Sequence, residues 1–224
     1  MAAPAPVLAP ELPADWRARL RRRLLSVPEH RLEHCRAAGL AAESPAVRAR
    51  LRANWPAALK VAAVLLPIID RAESPALLMT VRASHLRRHA GQISFPGGRL
   101  EDCDADVTAA ALRETEEEIG IAASAIDPIG FLPDHVVQTG YRITPVVALL
   151  QPGLALTPDG TEVAEVFELP LAIALAADRY RVGRRTIRGV DVDTWELSFG
   201  SYNIWGATAG MLANLRQMFG EQAA

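Results

Sequence analysis

The 224-residue sequence predicts an α/β fold in which a mixed β-sheet is packed between helices. Three observations predict it. Apolar runs VAAVLLPII, ALLMTVR and ITPVVALL are bounded by turn-forming residues, as buried strands are. From about Asp106, Val107, Ala110, Ala111, Glu114 and Glu118 recur at three- and four-residue steps, the spacing of a helix face. Strands and helices interleave without strict alternation, which points to a mixed sheet. Hydrophobic residues make up 50% of the chain, enough for a sizeable core.

Residues 1–55 read as a flexible tail followed by a helical N-terminal extension, and residues 56–224 as the main domain. Residues 1–13 carry four prolines, the mark of a flexible tail. Residues 15–25 contain five arginines at helical spacing. They make either an anion-binding patch or, the reading favoured here, a basic solvated face. Further helices are expected over residues 29–38 and 44–54, where Pro45 suits a first turn. His30 and His34 stand four apart without a third ligand nearby, so they read as surface histidines.

Residues 61–69 and 76–82 are predicted strands separated by the turn-like Glu73-Ser74-Pro75. The second delivers the chain to Arg82 and Arg87, candidate contacts for a phosphorylated ligand. Arginine suits that task because its planar fork meets phosphate oxygens two at a time. His89 is assigned a loop-supporting role. Phe95-Pro96-Gly97-Gly98 is expected to form a sharp turn, with glycine carbonyls left accessible. Asp104 or Asp106 would cap the following helix, and Gly120 would end it.

That helix carries Arg113-Glu114-Thr115-Glu116-Glu117-Glu118. Residues three and four apart on a helix are neighbours, so Glu114, Glu117 and Glu118 can converge on one edge. Their mutual repulsion would be relieved by a hard divalent cation, which takes oxygen ligands. Arg113 can pair with Glu117 four residues on. An acidic run by itself is a solvated face; joined to a double glycine and a helix stop, it points to metal-assisted chemistry.

Beyond the helix, residues 128–132 and 141–150 read as strands, and residues 133–140 between them as a candidate pocket wall. Residues 151–161 are turn-rich. Glu162 and Glu165 stand at the start of the segment that leads into the next predicted strand. Residues 184–199 read as a hairpin with Gly189 near its turn, and ATAGMLANLRQMF as a final helix packed on the sheet. Tyr202 and Trp205 read as core or pocket wall.

Composition excludes several classes. With 24 basic and 26 acidic residues, net charge −2, there is no electrostatic case for nucleic-acid binding. Cys35 and Cys103 are the only cysteines, which predicts a reducing compartment with neither a disulfide framework nor a zinc site. No apolar run approaches a membrane span, and the N-terminal residues lack the order of a secretory signal. The expected location is cytoplasmic.

Gly98 through Ile121 resembles the Nudix box, G-x5-E-x7-R-E-U-x-E-E-x-G-U with U aliphatic. Arg113-Glu114, Glu117-Glu118, Gly120 and Ile121 stand at matching positions relative to one another. Asp104 takes the place of the first Glu, one extra residue precedes Arg113, and Thr115 replaces an aliphatic residue. Upstream, LLMTVRA with Arg87, Gly91 and Phe95-Pro96-Gly97-Gly98 resembles the coenzyme A diphosphatase branch of that family. The resemblance implies a Nudix-type α/β/α sandwich with a mixed sheet. It also implies metal-dependent hydrolysis of coenzyme A or acyl-coenzyme A to 3′,5′-ADP and (acyl-)4′-phosphopantetheine. The expected cofactor is Mg²⁺ or Mn²⁺, held by Glu114, Glu117, Glu118 and the Gly98 carbonyl. Arg113, Glu114, Glu117 and Glu162 are the expected catalytic set, since the resemblance implies a further acidic residue from the region after residue 161, with Glu162 the first choice and Glu165 the second. Arg82, Arg87, Gly97 and Gly98 would bind substrate. The partner is a small molecule, with neither nucleic acid nor membrane; a homodimer is compatible with this reading. Two alternatives stand beside it: another nucleoside diphosphate derivative such as ADP-ribose, or a non-catalytic regulatory module.

Overall fold

The computed structural model describes residues 11–30, 35–37, 39–41, 49, 52–53, 55–86, 89–187 and 190–220. Two long strands form the centre. β2 (Lys60–Ile69) and β8 (Tyr141–Leu150) run parallel and pair at every position from Lys60↔Tyr141 to Ile69↔Leu150. The outer edge of each is divided between two partners. On β2, the end at Ile68 and Ile69 pairs with β3 (Ala76–Arg82), while Ala62–Val64 pairs with β5 (Gly97–Arg99). On β8, β6 (Ile126–Phe131) takes one half and β7 (His135–Val137) the other. β1 (Arg36–Ala37) joins β7 in parallel, β4 (Ile93–Ser94) joins β3, and β9 (Val163–Pro170) covers the other edge of β3. Among the described residues these nine strands form one mixed sheet.

Alternation along the strands sorts the core into two layers, because successive side chains point to opposite faces. Leu65, Leu78, Val146, Ala148 and Leu150 pack with Val107, Ala110, Ala111 and Ile119 of α2 (Val107–Ile119). Leu66, Ile68, Leu77, Met79, Val147 and Leu149 face the other way. They meet α1 (Trp16–Arg23), α3 (Leu171–Leu175) and α4 (Gly206–Gly220) through Trp16, Leu20, Leu171, Ile173, Met211 and Leu215. A second sheet of β10 (Tyr180–Ile187), β11 (Val190–Phe199) and β12 (Tyr202–Trp205) is antiparallel throughout and lies against α4. No helix among the described residues is long and apolar enough to cross a membrane.

Several sequence expectations require correction. The helix expected over residues 29–38 is replaced at Arg36–Ala37 by β1, because the Arg36 amide donates to the Asp134 carbonyl at 2.8 Å along β7. Residues 133–140 are not simply a pocket-wall loop, since β7 lies within them and Asp134 and His135 are 0% and 1% exposed. Asp134 is claimed instead by the Thr144 hydroxyl at 2.8 Å and by His30 and Arg142. Gly97-Gly98 lies not in a free turn but in β5. The arginines of α1 do form the solvated face expected, with Arg17, Arg19, Arg21 and Arg22 37–64% exposed, while Arg17 also pairs with Asp70 and Arg21 with Asp127. α3 and β12 had no distinct sequence signal. Residues 1–10, His34, Gly189 and most of residues 44–54 lie outside the described residues; of that last segment, residues 49, 52 and 53 are helical.

Candidate active site

The acidic helix is built locally as its sequence suggests. The Asp106 side chain accepts from the Ala109 amide at 2.9 Å, satisfying one of the free first-turn donors. Gly120 ends the helix in the left-handed conformation, φ 75°, and its amide donates to the Glu116 carbonyl. Thr115 is fully buried, and its hydroxyl returns to the Ala111 carbonyl at 2.6 Å. A polar residue thereby fits where an aliphatic one is expected.

Asp104 is not the cap. Its carboxylate takes the guanidinium fork of Arg113, Nε to Oδ1 at 3.0 Å and Nη2 to Oδ2 at 3.1 Å. The same guanidinium donates to Glu114, Glu117 and the Arg99 carbonyl, each at 3.1 Å. The Asp104 side chain is only 3% exposed, and hydrogen bonding to Arg113 holds its carboxyl below the usual range. Arg113 in turn is held firmly protonated, chiefly by Asp104. The pairing of Arg113 with Glu117 predicted from helix spacing is present, but it is one bond among five.

Glu114 and Glu118 come together beneath this clamp. Glu118 is 7% exposed, and burial, reinforced by the charge of Glu114, pushes its pKa up to about 8. Arg82 and a hydrogen bond from the Gly97 amide pull in the opposite direction. Burial also raises Glu114, partly offset by Arg113. Glu117 is 61% exposed, and its charge adds to the rise at half-buried Glu114. Among the described residues no three His, Cys, Asp or Glu side chains close to metal-ligand spacing; the Arg113 guanidinium lies between Glu114 and Glu117 and bonds both.

The glycine pair is explained by close approach. A Cβ on Gly97 would stand 2.3 Å from the Ala63 carbonyl oxygen, on the neighbouring strand, and its φ of 150° is unfavourable for any other residue. A Cβ on Gly98 would stand 2.3 Å from the Glu114 carboxylate carbon. β5 thus brings bare backbone against the carboxylate helix.

Arg82, at the end of β3, donates to Glu162 at 3.4 Å, and the Ala83 amide donates to the Glu162 carbonyl at 2.7 Å. Glu162 is close enough to Glu114 and Glu118 to raise the pKa of both. Glu165 is not. It shares the opposite sheet face with Phe167 and accepts the Tyr202 hydroxyl, while Tyr202 stacks on Phe167 at 3.7 Å. His89 supports its loop, with Nδ1 2.7 Å from Gln92 Oε1. Arg87 lies outside the described residues.

Asp159 had not been singled out. Its carboxylate accepts from the Glu162 and Val163 amides at 3.0 and 2.9 Å, while its own amide donates to the Glu118 carbonyl at 3.1 Å. The Thr157 amide donates to the Ile119 carbonyl at 2.9 Å. The turn-rich segment therefore caps the end of α2 and seats Glu162 beside it. An Asp two residues ahead of Thr161 in a turn was the available signal.

The acidic helix thus sets buried Glu118 beside half-buried Glu114, with Arg113 clamping Glu114 and Glu117 and the charge of Arg82 felt at Glu118. Residues 59–188 match the NUDIX domain, and the chain belongs to that family as a hydrolase. The protein named Uncharacterized Nudix hydrolase NudL from Escherichia coli O1:K1 is 47% identical over 159 residues, 71% of this chain and 82% of its own. NudL of Shigella boydii serotype 18 matches to the same extent. The crystal structure of RenU, a Nudix hydrolase from M. smegmatis, aligns with TM-score 0.44 and 22% identity over 51% of this chain and 72% of that one. Nudix hydrolases generally use divalent metal ions and bind small-molecule nucleotide substrates.

Proposed function

We propose that this hydrolase cleaves the diphosphate linkage of coenzyme A or an acyl-coenzyme A. The products would be 3′,5′-ADP and 4′-phosphopantetheine or its acyl form. One observation carries the reading: Arg82 ends the strand that resembles the coenzyme A branch, and it reaches Glu162 beside the Glu114–Glu118 pair. The upstream run and the acidic helix therefore serve one site.

The donor set suits a hard cation, because burial and the charge of Glu114 disfavour the Glu118 anion, while burial and the charges of Glu117 and Glu162 disfavour that of Glu114. Glu114, Glu117, Glu118 and the Gly98 carbonyl would hold Mg²⁺ or Mn²⁺. When bound, the ion neutralises diphosphate oxygens and makes water a stronger acid. Arg113 keeps Glu114 and Glu117 in place, and Asp104 keeps Arg113. Arg82 and Arg87 take phosphate oxygens. Glu162, 54% exposed, accepts a proton from the attacking water. The new bond joins the water oxygen to one phosphorus, and the bridging oxygen leaves with the other phosphate.

Purified protein given equal coenzyme A, an acyl-coenzyme A, ADP-ribose and NADH, with Mg²⁺ or Mn²⁺, tests this by mass spectrometry of the products. The expected result is 3′,5′-ADP ahead of every other product. ADP-ribose cleavage in its place would keep the acidic helix and discard the reading of residues 77–95. Tight binding without turnover would make the chain a regulatory module.

A further inference from the structure

A cavity of about 140 Å³ lies where β1, β7, β11 and α4 meet. It is on the α4 side of the large sheet, whereas Glu114 and Glu118 stand on the α2 side. Glycines allow the walls to approach. A Cβ on Gly39 would stand 2.6 Å from the Gly206 carbonyl carbon, and one on Gly210 would stand 2.6 Å from the Gly39 nitrogen.

The lining is one-sided in charge. Arg36 and Arg216 contribute to it, and no acidic residue does among the described residues. Arg216 lies over the rings of Tyr180 and Trp195 at 5.2 and 5.9 Å, and neither arginine meets a carboxylate among the described residues. Arg17, Arg21, Arg71 and Arg142, by contrast, all do. His135 completes the lining at 1% exposure. The Asn214 amide nitrogen stands 2.9 Å from its Nε2, which places the ring proton on Nδ1, and Nδ1 has no partner among the described residues. Burial, then the charge of Arg36, keeps this ring neutral by pushing its pKa down to about 3.

We propose that this cavity binds a phosphate-class dianion, inorganic phosphate or the end of a phosphomonoester, through Arg36, Arg216 and the His135 Nδ1–H. A water molecule would satisfy Nδ1 but bring no charge to the two guanidinium groups, which meet no carboxylate among the described residues. A carboxylate would neutralise one of them. A phosphate monoester brings a charge of about −1.5 to −2 and three strong acceptor oxygens, matching both guanidinium groups and the imidazole donor.

The test titrates full-length, chelator-treated protein with inorganic phosphate and with methyl phosphate. Affinity is followed by calorimetry and the His135 ring nitrogens by NMR. The expected result is a saturable shift of the His135 Nδ1–H signal, with R36Q and R216Q each weakening binding by at least about tenfold through loss of a charge-assisted pair. E114Q should leave binding unchanged. Because Arg216 packs on two rings, R36Q, at an exposed side chain, decides if R216Q fails to fold. Binding of both probes assigns a phosphomonoester end, and binding of phosphate alone assigns the free anion. Absence of a His135 response, or binding that E114Q removes and R36Q spares, overturns the proposal.

Discussion

The Glu114 carboxylate fills the space that a side chain on residue 98 would need, so that a Cβ there would stand 2.3 Å from its carboxylate carbon. Glu114 is the far end of a flexible side chain and can swing away. Gly98→Ala should therefore keep the fold, with stability changed by less than about 1 kcal/mol, yet lower kcat at least about tenfold. At Gly97 the obstacle is the Ala63 carbonyl, which belongs to backbone and cannot swing. Gly97→Ala should cost about 1–3 kcal/mol of stability, as overpacking does. Denaturant melts alongside turnover separate the two; equal melting behaviour would refute the distinction.

Asp104 and Arg113 make a second prediction. Hydrogen bonding lowers the Asp104 pKa, so the pair stabilises the fold above the ordinary carboxylate range and is lost as pH falls through the lowered value. Asp104→Asn should cost about 1–3 kcal/mol at neutral pH and little in strong acid. Turnover should fall as well, since Arg113 also bonds Glu114 and Glu117. An unchanged acid limb in the variant's stability profile would show that the pair is not the source.

Glu118 titrates in the opposite sense. Its pKa of about 8 lies above the unfolded value, so in the metal-free protein this group favours folding most at low pH. That contribution declines as pH rises from the ordinary carboxylate range to about 8. Mg²⁺ favours the anion and should lessen the decline. Glu118→Gln should remove the slope, raise stability in chelator at pH 8 and abolish Mg²⁺-dependent stabilisation. Thermal melts across pH, with and without Mg²⁺, check all three.

Glu162, in the turn ahead of β9, stands beside Glu114 and Glu118, whereas Glu165, three residues on within β9, meets Tyr202. Glu162→Gln should lower kcat about 10²-fold or more if it accepts the water's proton. Glu165→Gln should leave kcat within about threefold, because Glu165 meets Tyr202 rather than the acidic pair. Equal losses in both variants would remove Glu162 from its assigned role.

Much of the frame was legible from short-range pattern. The predicted strands at 61–69, 76–82 and 141–150 agree with β2, β3 and β8 to within a residue at each end, because continuous apolar runs bounded by turn residues have few other outcomes. α2 and its Gly120 stop follow from local spacing alone, while the choice of Asp106 over Asp104 as its cap was made by Arg113, which takes the Asp104 carboxylate. β1, β7 and β5 were missed because two- and three-residue strands exist only through their partners.

What the sequence by itself determined is therefore the strand frame, the acidic helix and the presence of Arg113, Glu114, Glu117 and Glu118 along its turns. Only the tertiary structure decided that Glu118 is buried beside Glu114, that Asp104 takes the Arg113 fork, and that Asp159 seats Glu162 while Tyr202 takes Glu165. The physical reason is range. Periodicity and capping are settled within a few residues. Desolvation, charge coupling and the approach of bare glycine backbone to a carboxylate depend on segments brought together from across the chain.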